Sequence, residues 1–478
     1  TATRLEWPVE KTAGFITVIT RDDIRARRAE TVADALRTVP SLAVARSGSV
    51  GKATSLFVRG ASSNHVLVML DGVPLNDPTT GAFDFSDLST AGIERIEIVR
   101  GPHGVLYGSS AIGGVVNIIT LASRSGPRRS LTAAAGSLGS AEGAAAVSGS
   151  GASHSYSCAL SGMRTDGRGD NDFHRRGAFS GAVSKTIADV SDVSLSLRWN
   201  GASTGLAGPS FDFDPNARQD GGSLVCAATF RRIVSGVWSH EIRASYLSSG
   251  ITWDDPVDPA ETDAYAGDAF SRIDSKAAIA AWQNNLRFGE ELWITSGADW
   301  KEERTTNSGY SPFGTTSFDD RIRNASAFAN CIADRAGLPT VSAGVRLDDH
   351  SEFGSVATWR CSASYAIALT GTTIKASAGT GFRAPSLNEL YYPGYGNSAL
   401  APERSRGWDC GARQEWLAGR ASVEASYFNN AYRDMISFDF TTFMAGNIYE
   451  ASSDGVEVRA ALRPPGGVTI EGYYVHTR

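Results

Sequence analysis

The sequence predicts an all-β, antiparallel transmembrane barrel preceded by a small mixed α/β domain. Three observations carry this reading. From about residue 130 onward apolar and polar side chains alternate with a period of two, in segment after segment. Short Gly/Asp/Pro turns recur near residues 150, 189, 235, 289, 336, 370, 419 and 465, 34 to 54 residues apart, which leaves room for two strands and one long polar loop each. The composition also breaks near residue 126: six of the 44 aromatic residues and none of the five cysteines precede that point.

The two domains therefore span residues 1–126 and 127–478. In the first, 15–20 (FITVIT) reads as a strand, and 31–39 (TVADALRTV) as a short helix entered at Thr31 and stopped by Pro40. Further strands are predicted over 55–59, 65–70 and 94–99, with turns at Asp71-Gly72 and Gly101-Pro102. In the second domain, Val193, Leu195, Leu197 and Trp199 share one face and Ser194, Ser196 and Arg198 the other. The same split separates Ile374, Ala376 and Ala378 from Thr373, Lys375 and Ser377, and Val456 and Val458 from Glu457. Tight turns on one rim and long loops on the other are the asymmetry of an outer-membrane barrel. A soluble sandwich has shorter strands and more even loops. Eight turns, each joining two strands, together with the strand before them, give 17 strands of roughly ten residues. An odd count leaves an open edge, so the pattern predicts further strands after Arg478.

No apolar run approaches the length of a membrane helix, while alternating strands average to the mildly polar composition seen, with a mean hydropathy of −0.17. The net charge of −6 and the scattered basic residues give no cluster for nucleic acid. The five cysteines are odd in number and widely spaced, without a C-x-x-C pair, so they read as small apolar side chains on strands. Three enzyme-like patterns fail. Gly51-Lys52 has Arg46 where a P-loop needs its first Gly and Ala53 where it needs a hydroxyl. Gly379-x-Gly381 is followed by Pro385 rather than a helix, and His240-Glu241 lacks the second His of a zinc motif. No catalytic constellation remains, and no cofactor is required.

Residues 57–77 (FVRGASSNHVLVMLDGVPLND) and 93–120 (IERIEIVRGPHGVLYGSSAIGGVVNIIT) resemble the plug domain of TonB-dependent outer-membrane receptors. The run 379–408 and Asp454-Gly455-Val456-Glu457 are similar to late barrel segments of the same family, and within it the compact plug and short loops look most like the cobalamin receptors. The resemblance implies a 22-stranded type of barrel, of which about 17 strands are present, with the α/β plug inside its lumen. It also implies that TATR at residues 1–4 is the tail of a TonB box and that both ends are truncated. Residence in the bacterial outer membrane as a monomer follows from the same likeness. So does active uptake of cobalamin or a ferric siderophore, driven through the N-terminal segment by the energy-coupling protein TonB. On barrel evidence alone a passive porin or an adhesin-like barrel is the alternative.

The resemblance further implies that Arg59 and Arg100 point from the plug toward two wall acids, matched here by Asp409 and Glu457. Alternation independently turns both acids to the lumen, because Val456, Val458, Trp408 and Cys410 take the lipid side. Ligand-binding candidates are polar and aromatic side chains at the plug tips and in a loop: Ser47, Ser49, Lys52, Asn76, Asp77, Thr79, Phe83, Phe85, Tyr391, Tyr392 and Tyr395. The acidic loop at 212–220 offers oxygen ligands at Asp212, Asp214, Asn216 and Asp220. It is not an EF-hand, since Ala217 and Ser223 stand where Gly and Glu are required. The family likeness adds Asp170 and Asp172, as calcium ligands in the external loops. Glycines 101, 104, 108, 113 and 114 are read as close approaches of the backbone beneath the wall.

Overall fold

The computed structural model describes residues 7–8, 11–12, 14–120, 127–208, 214–257 and 268–478. The N-terminal domain forms a five-stranded sheet in the spatial order Ile16–Thr20, Ile93–Arg100, Gly114–Thr120, Val66–Leu70, Val73–Pro74. Only Val66–Leu70 and Gly114–Thr120 pair in parallel. Two short helices, Arg21–Ala26 and Val32–Leu36, cover one face, and each opens on a capping box, Thr20 with Asp23 and Thr31 with Asp34. The second helix starts where the sequence predicts but stops at Leu36, short of residue 39, with Arg37 as its C-cap. The first helix and the strands Leu42–Arg46 and Gly114–Thr120 were not foreseen. In the last of these, VVNII is a fully paired inner strand.

Val66, Val68, Leu70, Ile96, Ile98, Val116 and Ile118 point to one side of the sheet and pack with Ile24, Val32 and Leu36. That cluster continues into Val225, Leu247 and Ala277 of the barrel wall, so the small domain's core is finished by the barrel that surrounds it. The plug sits inside the lumen.

The wall contains 17 strands, from Arg128–Ala135 to Ile470–Thr477, each antiparallel to the next. All eight predicted turns fall between strand ends at one rim, as with Ser150 and His154, or Trp416 and Ala421. The predicted faces also hold: Leu195, Leu197 and Trp199 are exposed on the outside and Arg198 is buried inside. Two features differ from expectation. Strands Ala269–Phe288, Leu292–Ser311 and Gly314–Ala333 each run 20 residues, twice the predicted length. Alternation continues above the apolar band, where outward ion pairs such as Arg304–Asp319 and Arg323–Glu302 replace apolar side chains, so loop-like composition is folded into the wall. The strand order also closes, with Ile470–Thr477 next to Arg128–Ala135, where an open edge was predicted. With an odd number of alternating strands these two run the same way, and both are exposed along nearly their whole length.

Candidate functional site

The plug meets the wall through polar contacts as well as through the shared apolar core, and one buried polar cluster is centred on Arg59. Arg59 and Gly60 both take left-handed backbone angles, φ 52° and 79°, which end the strand Thr54–Val58 and turn the guanidinium outward to the wall. Arg59 donates from Nε to Glu457 Oε1 at 2.7 Å, from Nη2 to Glu457 Oε2 at 3.1 Å, and from Nη1 to Asp409. The guanidinium lies 4.3 Å from the Phe428 ring centroid. Asp409 reaches Arg59 and also accepts from Ser377 Oγ at 2.8 Å. Burial alone would favour neutral Arg59, but the two carboxylates overcome it and raise its pKa, so the charge is held on. Gly101 passes beside this cluster at φ +82°, where an added Cβ would lie 3.5 Å from an Asp409 oxygen.

Arg100 does not join the predicted quartet directly. Its guanidinium turns back into the plug, donating to Thr17 Oγ1 at 2.7 Å and to the Phe15 carbonyl at 3.4 Å. Burial lowers its pKa, and Glu457 acts on it only through space. The physical reason is that Thr17 Oγ1 and the Phe15 carbonyl, within the plug itself, take its donors.

A second buried cluster, not foreseen, lies toward the loop rim. His65 Nε2 lies 2.7 Å from Glu403 Oε2, which also accepts from Arg383 Nε at 2.6 Å, while Arg383 Nη1 and Nη2 each reach Glu389 at 2.9 Å. His65 stacks on Tyr432 with ring centroids 5.6 Å apart. Glu389 belongs to a short helix, Leu387–Tyr391, capped by Ser386. That helix donates its Leu387 and Asn388 amides to the carbonyls of Pro78 and Thr79 at the plug tip, at 3.0 and 3.2 Å. The readable signal was Ser386-x-x-Glu389, a capping box in sequence.

The ligand candidates divide. Thr79 is buried against the wall, 2.9 Å from Ser275 Oγ. Asn76 clamps its own loop, donating to the carbonyls of Val66 and Gly81 at 2.9 Å. Asp77 accepts from the Thr79 amide at 2.7 Å, and burial raises its pKa. Phe85 is only 2% exposed in the plug core, stacked edge-on to part-buried Phe83 at 4.8 Å, so its aromatic face serves packing and is no ligand surface. Ser47 bonds back to the Ala53 carbonyl, Ser49 donates to Asp172, and Lys52 bonds to the Gly205 carbonyl. Tyr391, Tyr392 and Tyr395 are half-buried on the apex cluster of Phe318, Leu387 and Leu390, and burial with Glu352 raises the Tyr391 pKa.

The described acidic side chains of the candidate calcium loops are taken up differently from one another. Asp212 lies outside the described residues, Asp170 is exposed, Asp172 is engaged by Ser49 and Lys52, Asp214 accepts from the Asn216 and Ala217 amides, and Asp220 pairs with Arg218. Among the described residues no three acidic, His or Cys side chains form a metal-holding group.

Between the open face of the plug sheet and the wall lies a cavity of about 600 Å³. Leu67, Met69, Asn117 and Ile119 line it on the plug side, while the wall side reaches from Ser239 and Asn285 near the tight-turn rim to His350 and Phe382 near the other.

Residues 8–115 match the TonB-dependent receptor plug domain, and residues 152–477 match the TonB-dependent receptor-like β-barrel. The chain belongs to the TonB-dependent receptor family. It is 30% identical to the vitamin B12 transporter BtuB of Photobacterium profundum, over 97% of this chain and 75% of that protein. Among solved structures it is similar to the siderophore receptor PirA from Acinetobacter baumannii, with a TM-score of 0.77 and 19% identity over 97% of this chain and 80% of that one. It is also similar to the copper transporter OprC, with a TM-score of 0.81 and 17% identity over 98% and 79%. Proteins named for different cargoes thus share this fold, so the fold by itself does not choose the cargo. TonB-dependent receptors of this barrel type reside in the bacterial outer membrane and transport across it.

Proposed function

We propose that this receptor takes up cobalamin, with TonB pulling on the N-terminal segment to rearrange the plug. The observation that carries the cargo is the 30% identity to a vitamin B12 transporter over nearly the whole chain, covering plug and barrel alike. The site supports the transport half of this reading. A lumen wide enough for a corrinoid must be stoppered, and beside the shared apolar core the stopper here makes discrete polar contacts that can break singly and re-form with water. Trp7 packs edge-on to Trp293 at 4.7 Å, and Lys11 reaches Asp334 at 2.6 Å, which brings the plug's N-terminal lead to the tight-turn rim where a periplasmic partner would act. The half-buried tyrosines of the apex, Tyr391, Tyr392 and Tyr395, offer flat faces to a large amphiphilic ligand.

The deciding experiment is equilibrium binding of cyanocobalamin to the purified protein, beside a ferric chelate of matched size. Saturable binding of cyanocobalamin alone is expected. Saturable binding of the ferric chelate alone would transfer the protein to siderophore uptake and end the cobalamin reading. Calcium titrated into the same assay tests the acidic loops, because strengthened binding would give Asp170, Asp172 and Asp214 a role that their contacts here do not.

A further inference from the structure

The outer face of strand Glu403–Trp416 carries, from the loop rim downward, Arg404, Arg406, Trp408, Cys410, Ala412, Gln414 and Trp416. Trp408 and Trp416 are 42% and 50% exposed, and Trp408 leans on Tyr427 with centroids 5.3 Å apart. Aromatic side chains at two heights of a lipid-facing wall mark the two edges of the apolar band, ~25 Å apart. Arg406 is therefore the first outward residue above the upper edge. Arg404 is the next, and it lies directly opposite Arg433 of the neighbouring strand Ala421–Asp439.

Three guanidinium groups thus share one patch at headgroup height. Like charges facing each other across two strands repel. Elsewhere on the outer wall some such charges are neutralised from the neighbouring strand, Arg304 by Asp319 at 2.7 Å and Arg323 by Glu302 at 2.6 Å, although Arg164 also faces Arg175 and Arg304 faces Arg321. Arg404, Arg406 and Arg433 are all exposed, and among the described residues their side chains form no ion pair and no hydrogen bond. Asp434, next in the chain, pairs with none of them. The protein has left this cluster without its counter-charge at the level where the membrane supplies phosphate.

We propose that Arg404, Arg406 and Arg433 form a binding site on the outer wall for the phosphate of an outer-leaflet lipid headgroup. Guanidinium forks take phosphate oxygens in pairs, and the acyl chains below would lie along Cys410 and Ala412 between the two tryptophans. The charge comes from the ligand, the anchoring from the band beneath.

Native mass spectrometry of the full-length protein in non-ionic detergent tests this with bisphosphorylated lipid A as the probe. Wild-type protein is expected to retain the lipid, and the triple variant R404Q/R406Q/R433Q to bind it about tenfold or more weakly. Dephosphorylated lipid A with the same acyl chains is expected to bind both proteins weakly, and inorganic phosphate not to displace the bound lipid. Equal retention by wild type and variant, equal binding of the dephosphorylated lipid, or displacement by free phosphate would each overturn the proposal. Heat-modifiable migration of both proteins on a gel separates a lost site from a lost barrel. Should the triple variant not assemble, Arg406→Gln alone decides the matter, with several-fold weaker retention expected.

Discussion

At the scale of single residues, the plug is fixed by charges placed where water cannot reach them. Arg59 is fully buried, and Asp409 and Glu457 nearly so, which makes the trio costly to form and far more costly to break. Arg59→Gln leaves two carboxylates facing each other without a cation, and a loss of ~3–5 kcal/mol is expected in the urea unfolding of the reconstituted protein. Adding Asp409→Asn and Glu457→Gln to the same variant should recover part of that loss, since the two carboxylates no longer face each other, while buried Arg100 and Arg360 lose the acids that act on them through space. An equal loss in the triple variant would mean that Arg59 acts through packing on Phe428 instead. Asp77 gives the opposite sign. Its buried carboxyl has a raised pKa, so the folded protein binds its proton more tightly than the unfolded chain, and ionisation weakens the fold as pH rises through the folded value. Asp77→Asn keeps an oxygen for the Thr79 amide and removes that penalty. Its melting temperature is expected to exceed wild type at neutral pH, with the gain disappearing as pH falls through the folded pKa toward the ordinary value of 3.8.

At the scale of elements, the helix Leu387–Tyr391 is the piece that joins loop rim, wall and plug. It is only five residues long and has too few internal bonds to stand alone, so its cap and its two amide bonds to the plug tip hold it in place. Ser386→Ala removes the cap and is expected to cost ~1 kcal/mol locally. Hydrogen exchange should report it as faster exchange at the Leu387 and Asn388 amides, with the wall strand Thr372–Arg383 unchanged. This element also shows what sequence reading reaches. Period-two alternation announced the wall strands and their inward faces, because lipid on one side and a wet lumen on the other force the pattern residue by residue. Asp409 and Glu457 were legible as lumen-facing because strand parity fixes direction, whereas Arg59 as their partner came from the family resemblance. His65, Arg383 and Glu403 were missed, since their pairing depends on which strands stand beside the plug, and no local pattern encodes that. Arg100 was placed in the wrong company for a related reason: parity says which way a side chain leaves its strand but not whether a nearer acceptor such as Thr17 will take it. Phe85 was misassigned because a loop aromatic and a core aromatic look alike until the loop is folded onto Thr54.

At the scale of the whole molecule, the question is whether the plug must part from the wall for transport to occur. The cavity beside the sheet reaches toward both rims, yet the plug tip closes the upper end by seating Thr79 on Ser275 and Thr305, with oxygen separations of 2.9 and 3.4 Å. Paired substitution Thr79→Cys with Ser275→Cys places two thiols where those hydroxyls now touch, across the boundary that a moving plug would have to open. Oxidation is expected to cross-link them without disturbing the Arg59 cluster or the apex, so ligand binding should survive. Uptake by cells carrying the oxidised protein should fall to background and return after reduction, because the bond can be opened by a thiol but not by a pull on the N-terminus. Undiminished uptake in the cross-linked protein would show that cargo passes while the tip stays seated, through the space between Leu67, Met69 and the facing wall. Motion would then be confined to the segments below the tip, nearest the rim where Trp7 and Lys11 are held.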